Sequence, residues 1–140
     1  MSHSFKVLCL NHIAIATKNA SPLINFYRNV LKLKVSEKLA QPEHGVYTTF
    51  VEFPETNIEL LEPLGSESPI AKFVERSDGA VHHFCFQVDN LKAALEHVTK
   101  TCSIRPLGRE PKIGAHGNPV IFLHPKDCQG FLTELEESEN

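Results

Sequence analysis

Leu10-Asn11-His12-Ile13-Ala14-Ile15-Ala16-Thr17 and Val81-His82-His83-Phe84-Cys85-Phe86-Gln87-Val88 are the two stretches whose reading decides the fold. In the first, Ile13 and Ile15 share one face of an extended segment, and His12, Ala14 and Ala16 share the other. In the second, Phe84, Phe86 and Val88 oppose His83, Cys85 and Gln87. A period of two marks a strand whose faces meet different surroundings. A helix signal follows each strand. Ser21 before Pro22 reads as an N-cap and N1 proline, with Leu23, Tyr27, Val30 and Leu31 at helical spacing up to Leu33. Asn90 reads as the cap of a helix striped by Leu91, Ala94, Leu95 and Val98. Extended segments come next in both places: KVSEKLA, VYTTFVEF and NIELLEP, then SIRPLG, NPVIFLHP and GFLTELEE. A β-α-β-β-β pattern is written twice.

The first module is expected over about residues 8–64, a connector over 65–79 and the second module over about 80–137. In the connector, Ser68-Pro69 reads as the start of a short helix and Asp78-Gly79 as a turn. A half of roughly 65 residues buries too little surface to stand comfortably alone. The expected architecture is therefore one α+β domain, paired βαβββ modules forming a curved mixed sheet around a shared cavity with helices outside.

Composition narrows the function classes. The chain has 140 residues, with 14 Lys and Arg against 17 Asp and Glu and a net charge of -3. That balance gives no footprint for nucleic acid. No apolar run approaches the ~20 residues that span a bilayer, so no membrane role is expected. The opening MSHSFKVLCLNHIAIA has neither a signal-peptide core nor an Arg-rich presequence. Cys9, Cys85, Cys102 and Cys128 form no CxxC pair and read as reduced, with Cys9 and Cys85 as small hydrophobes in strands. The unusual count is eight histidines, a residue suited to metal binding and proton transfer.

Alternation turns those histidines into a ligand argument. His12 adjoins Ile13, Glu59 lies between Ile58 and Leu60, His83 precedes Phe84, and Glu134 lies between Thr133 and Leu135. Each is on the face opposite bulky apolar neighbours, so all four point to the concave side. A lone histidine at a strand start is ordinarily a satisfied core or surface residue, and a lone glutamate an exposed charge. Two matched His and Glu pairs are harder to dismiss, because converging buried carboxylates repel each other unless a cation joins them. Two imidazoles and two carboxylates suit Co²⁺, Mn²⁺, Ni²⁺ or Zn²⁺. His82 has the opposite parity and reads as a packing residue. His3, His44, His97, His116 and His124 lack matched partners; His97 reads as solvated, and His44 and His116 sit in glycine-containing loops.

The repeated module with this His, Glu, His, Glu set resembles the vicinal oxygen chelate (glyoxalase) superfamily. Within it, NHIAIAT, EHGVYTTFVEF, IELLEPLG with SPIAKF, VHHFCFQVDN and KIGAHGNPVIFLHPKDCQGFLTELE are similar to the methylmalonyl-CoA epimerase family, especially its animal type. The match runs from about Leu10 to Glu136, and the KIGAHG and FLHPKDC blocks are its specific part.

The resemblance implies metal-dependent epimerisation of (2R)- and (2S)-methylmalonyl-CoA, in propionate metabolism, by 1,1-proton transfer through a metal-stabilised enolate. It implies metal ligands His12, Glu59, His83 and Glu134, with Co²⁺ the first choice of metal and Glu134 acting also as acid/base. Bacterial members carry a second acid/base glutamate where this chain has Thr48, which cannot serve as a carboxylate base. Glu52 lies about 13 Å further along the strand. Glu43, His44, Lys112 and His116 are the alternatives. Lys72, Arg76, Arg109 and Lys112 are candidates for the CoA phosphates by position alone. A homodimer is expected, and the mitochondrial matrix if the source is eukaryotic, otherwise the cytoplasm.

Three other readings share the scaffold. A glyoxalase I-like isomerase of a glutathione hemithioacetal has nearly the same metal set. An extradiol dioxygenase needs three protein ligands, and the second glutamate argues against it. A metal-free drug-sequestering protein predicts no stoichiometric metal and no loss of function in His83→Ala.

Overall fold

A computed structural model describes residues 4–138; His3 lies outside the described residues. The elements in chain order are β1 (Val7–Ala16), α1 (Ser21–Asn25), β2 (Lys34–Val35), β3 (Leu39–Gln41), β4 (Val46–Glu52), β5 (Asn57–Pro63), α2 (Ala71–Arg76), β6 (Ala80–Val88), α3 (Leu91–Glu96), β7 (Pro106–Ile113), β8 (Pro119–Leu123) and β9 (Thr133–Glu137). The class is α+β, as the alternation and caps imply. Two compact units are present among the described residues: residues 12–82, and residues 4–11 together with 83–138. The chain crosses between them within β1, after Asn11, and within β6, after His82.

In the unit of residues 12–82 the strand order is β2-β4-β5-β1, with β3 also on β4. The sheet is mixed: β1 runs parallel to β5, and β4 antiparallel to it. On the helix side, Val51, Leu60 and Ala20 are buried with Leu23, Ile24 and Tyr27 against them. On the other side, Ala14, Ala16, Val46 and Leu61 meet Ile70 and Val74. The connector therefore folds back as α2 over one end of the inner face. Burying a side chain such as Leu60 stabilises by about 1.5–3 kcal/mol.

In the other unit the order is β6-β9-β8-β7. Again the first strand is parallel to the last, β6 to β9, and β8 is antiparallel to β9. Val88, Leu91, Ala94, Ile121, Leu123 and Leu135 form its core. Asn90 caps α3 as its side chain accepts from the Ala93 N–H at 3.0 Å.

Several local expectations change. The N-cap of α1 is Ala20, one residue before Ser21. The alanine side chain cannot accept a hydrogen bond there, so other side chains take the N–H groups at the helix start: Glu62 Oε1 accepts from the Ala20 N–H at 2.7 Å, and Asn19 Oδ1 from the Ser21 N–H at 3.1 Å. Helix α3 begins in the same way, with Glu137 accepting from the Leu91 N–H at 2.8 Å. Both helices widen into π-helical turns, Phe26–Val30 and His97–Thr101. KVSEKLA breaks into β2 and β3, and β7 runs on to Ile113, into the glycine-containing segment read as a loop. His97 is packed rather than solvated: its ring lies 5.6 Å from Phe5 and its Nε2 3.6 Å from Cys102 Sγ.

Candidate metal and acid-base centre

Strand register places the candidate ligands. In the unit of residues 12–82, Ala14 faces Glu59 across the parallel β1/β5 pair, two positions after His12. In the other unit, Cys85 faces Glu134 across β6/β9, two positions after His83. On the far side of each glutamate stands a phenylalanine, Phe50 opposite Glu59 and Phe122 opposite Glu134. The two sites are thus built to one plan, down to the register.

Each histidine reaches its own unit's glutamate. His12 Nε2 lies 3.5 Å from Glu59 Oε1, and His83 Nε2 lies 3.1 Å from Glu134 Oε1. All four residues are buried. Removing such groups from water is costly unless partners or a cation take over the lost hydration. The Phe122 ring meets the His83 imidazole edge-on at 5.1 Å and fixes its plane. The donor set of imidazole nitrogens and carboxylate oxygens fits a divalent ion, and all four residues belong to candidate ligand groups.

A second carboxylate shares the Glu134 face of β9. Glu136 is buried, and its oxygens meet His116 Nδ1 at 3.1 and 3.2 Å and Asn118 Nδ2 at 3.0 Å. Burial by itself would raise its pKa. The hydrogen bonds from His116 and Asn118 and the His116 charge outweigh that, and hold it below the usual glutamate range. Cys85 Sγ lies 3.9 Å from Glu136 Oε1. Sequence reading passed over Glu136; the signal was its two-residue spacing from Glu134, which gives it the same inward parity.

His44 and His116 also prove to be matched. Thr48 pairs with Leu61 and Val120 with Glu136, and each histidine lies four residues before that strand position, followed by a glycine of positive φ, Gly45 or Gly117. His44 is half-buried and Glu43 is exposed. His82 packs edge-on to Phe73 at 4.9 Å, as a packing residue. Lys72, Arg76, Arg109 and Lys112 are all exposed. Glu52 is exposed and pairs with Lys34 at 3.7 Å.

This fold and donor set define a class. The chain belongs to the Glyoxalase/Bleomycin resistance protein/Dioxygenase superfamily, whose family model matches residues 11–122; the family commonly binds a divalent metal. Among curated relatives, the mitochondrial methylmalonyl-CoA epimerase of Homo sapiens is 52% identical over 130 residues, 92% of this chain and 73% of the relative. The ethylmalonyl-CoA/methylmalonyl-CoA epimerase of Cereibacter sphaeroides is 48% identical over 91% of this chain and 96% of its own. Among solved structures, Streptomyces coelicolor methylmalonyl-CoA epimerase in complex with 2-nitronate-propionyl-CoA superposes with a TM-score of 0.86, at 29% identity, covering 95% of this chain and 96% of that one. Within the superfamily, the chain is a member of the methylmalonyl-CoA epimerase family, a family of isomerases. Among the described residues, no helix is long and apolar enough to cross a membrane.

Proposed function

We propose that this protein interconverts (2R)- and (2S)-methylmalonyl-CoA by moving the C2 proton through a planar enolate. One observation carries the reading: a buried His and Glu pair repeated at identical strand register in both units. The epimerase relatives support the choice of substrate. In this reading His12, Glu59, His83 and Glu134 together hold a divalent ion, Co²⁺ first among Mn²⁺, Ni²⁺ and Zn²⁺, and the two units act as one catalytic domain. A bound ion would supply Lewis-acid stabilisation of negative charge on the substrate oxygens.

The chain's own groups manage the proton. Inversion at a carbon needs an acid/base on each face of the planar intermediate. Glu134 takes one face. His116 takes the other, because of the four alternatives named from sequence it is the one tied to a buried carboxylate, Glu136, which orients its imidazole. The protein acts as a homodimer, and in a eukaryotic source it works in the mitochondrial matrix; the human and mouse relatives, which are named as mitochondrial, support the organelle.

The test is a chiral assay of (2S)-methylmalonyl-CoA with the protein as prepared, after chelation, and after Co²⁺ is restored. The reading expects conversion, its loss and its return. Unchanged activity in fully chelated, metal-analysed protein overturns the metal assignment, and no conversion in any of the three overturns the epimerase assignment.

A further inference from the structure

Among the described residues, Thr48 Oγ1 is a buried side-chain oxygen that the protein leaves without a hydrogen-bond partner. Thr48 is only 2% exposed. Buried hydroxyls are almost always paired in native folds, so an orphan calls for an explanation. Packing does not supply one. Thr48 stands on β4 opposite Leu39 of β3 and Leu61 of β5, and a valine of the same shape would fill that apolar position without burying a hydroxyl.

The register shows which side chains share the face of Thr48. Phe50, two residues along β4, stands opposite Glu59. Thr48 and Glu59 are therefore on the same face of the sheet as diagonal cross-strand neighbours, about 7–8 Å apart. A small acyl group seated over Glu59 would come within reach of Thr48 Oγ1. On the other side, Val46 and Leu61 are sealed by Ile70 and Val74, so the polar direction is toward Glu59 and its histidine.

We infer that Thr48 Oγ1 is a substrate contact, donating its hydrogen bond to the free carboxylate of the methylmalonyl group. An ionised carboxylate is the stronger acceptor of the two substrate oxygen groups, and its hydrogen bond satisfies the orphan. The inference rests on the epimerase reading and adds an orienting residue to it: a hydroxyl holding the carboxylate end of the substrate, with no part in moving the proton.

The test compares wild type with Thr48→Val and Thr48→Ser, measuring methylmalonyl-CoA binding by calorimetry, turnover, inhibition by propionyl-CoA and the melting point of ligand-free protein. Thr48→Val should bind methylmalonyl-CoA about tenfold more weakly, as expected for a lost hydrogen bond to a charged group. Its ligand-free melting point should hold or rise, since the orphan is gone. Thr48→Ser should keep affinity within about threefold, on the same reasoning. Propionyl-CoA lacks the carboxylate, so its inhibition constant should be the same for wild type and Thr48→Val. Unchanged methylmalonyl-CoA affinity in an active Thr48→Val overturns the inference alone. So does a lower melting point or failure to fold, which would place the hydroxyl's partner within the protein. A weaker propionyl-CoA constant in Thr48→Val overturns the carboxylate assignment. Wild type that neither binds nor turns over methylmalonyl-CoA overturns this inference and the epimerase reading together.

Discussion

His83 Nε2 lies 3.1 Å from Glu134 Oε1, with both side chains buried and Phe122 edge-on against the imidazole. The imidazole is held on two sides, so Glu134 meets a fixed partner. In the proposed function Glu134 both helps to hold the metal and moves a proton, and an amide in its place could offer an oxygen but could not take up the proton. Glu134→Gln should lower kcat by about 10²–10⁴-fold, the range for loss of a general acid/base. Its circular dichroism should remain that of wild type. A variant within tenfold of wild-type kcat would remove Glu134 from the proton path.

Glu62 links β5 to the start of α1. One oxygen accepts from the Ala20 N–H at 2.7 Å, and the other meets Lys38 Nζ at 2.7 Å. Glu62→Ala leaves a buried N–H without an acceptor and should cost about 1–3 kcal/mol in urea denaturation. A loss below a few tenths of a kcal/mol would mean that the helix start is satisfied otherwise.

Gly45 and Gly117 both follow a histidine and both have positive φ, +69° and +81°. A Cβ on Gly45 would lie 2.8 Å from Pro69 Cδ, whereas nothing lies within 4 Å of one on Gly117. Gly117→Ala should cost about 1 kcal/mol from backbone strain alone, and Gly45→Ala more, because Pro69 must also shift. Equal losses in parallel unfolding curves would contradict the packing at Pro69.

Asp127 accepts from Arg105 Nε at 2.8 Å, Nη2 at 3.1 Å and the backbone N–H at 2.9 Å. The Arg105 side chain first, then its N–H, lowers the Asp127 pKa from 3.8 to about 2. A depressed carboxylate pKa stabilises the fold above the unfolded value, and that contribution is lost as pH falls through the folded value. Asp127→Asn should therefore melt below wild type near neutral pH, with the gap closing as pH falls from 3.8 to about 2. A gap that persists at the bottom of that window would show that the ion pair is not its source.

The fold was legible because period-two alternation and helix caps are local. His12 and His83 share their strands with Ala14 and Cys85, and those small buried residues left room on one face that the sequence displays openly. The N-cap of α1 was misplaced at Ser21 because the groups that satisfy it include Glu62, brought there only by the sheet. Glu136 was missed for a similar reason: its partners His116 and Asn118 come from the β7–β8 connection, outside its own strand. The match of His44 to His116 was hidden because the two modules differ in length between helix and third strand. Thr48 was read from sequence only for what it cannot do, since an orphaned hydroxyl is a property of the packed state.

The central claim is that this chain removes and returns the C2 proton of methylmalonyl-CoA. The direct measurement is proton NMR of methylmalonyl-CoA in D₂O with metal-loaded protein, alongside Glu134→Gln. Deuterium entering C2 with wild type, and at least about 10²-fold more slowly with the variant, is the predicted result. A C2 signal that persists at the uncatalysed rate with metal-loaded wild type would contradict the account.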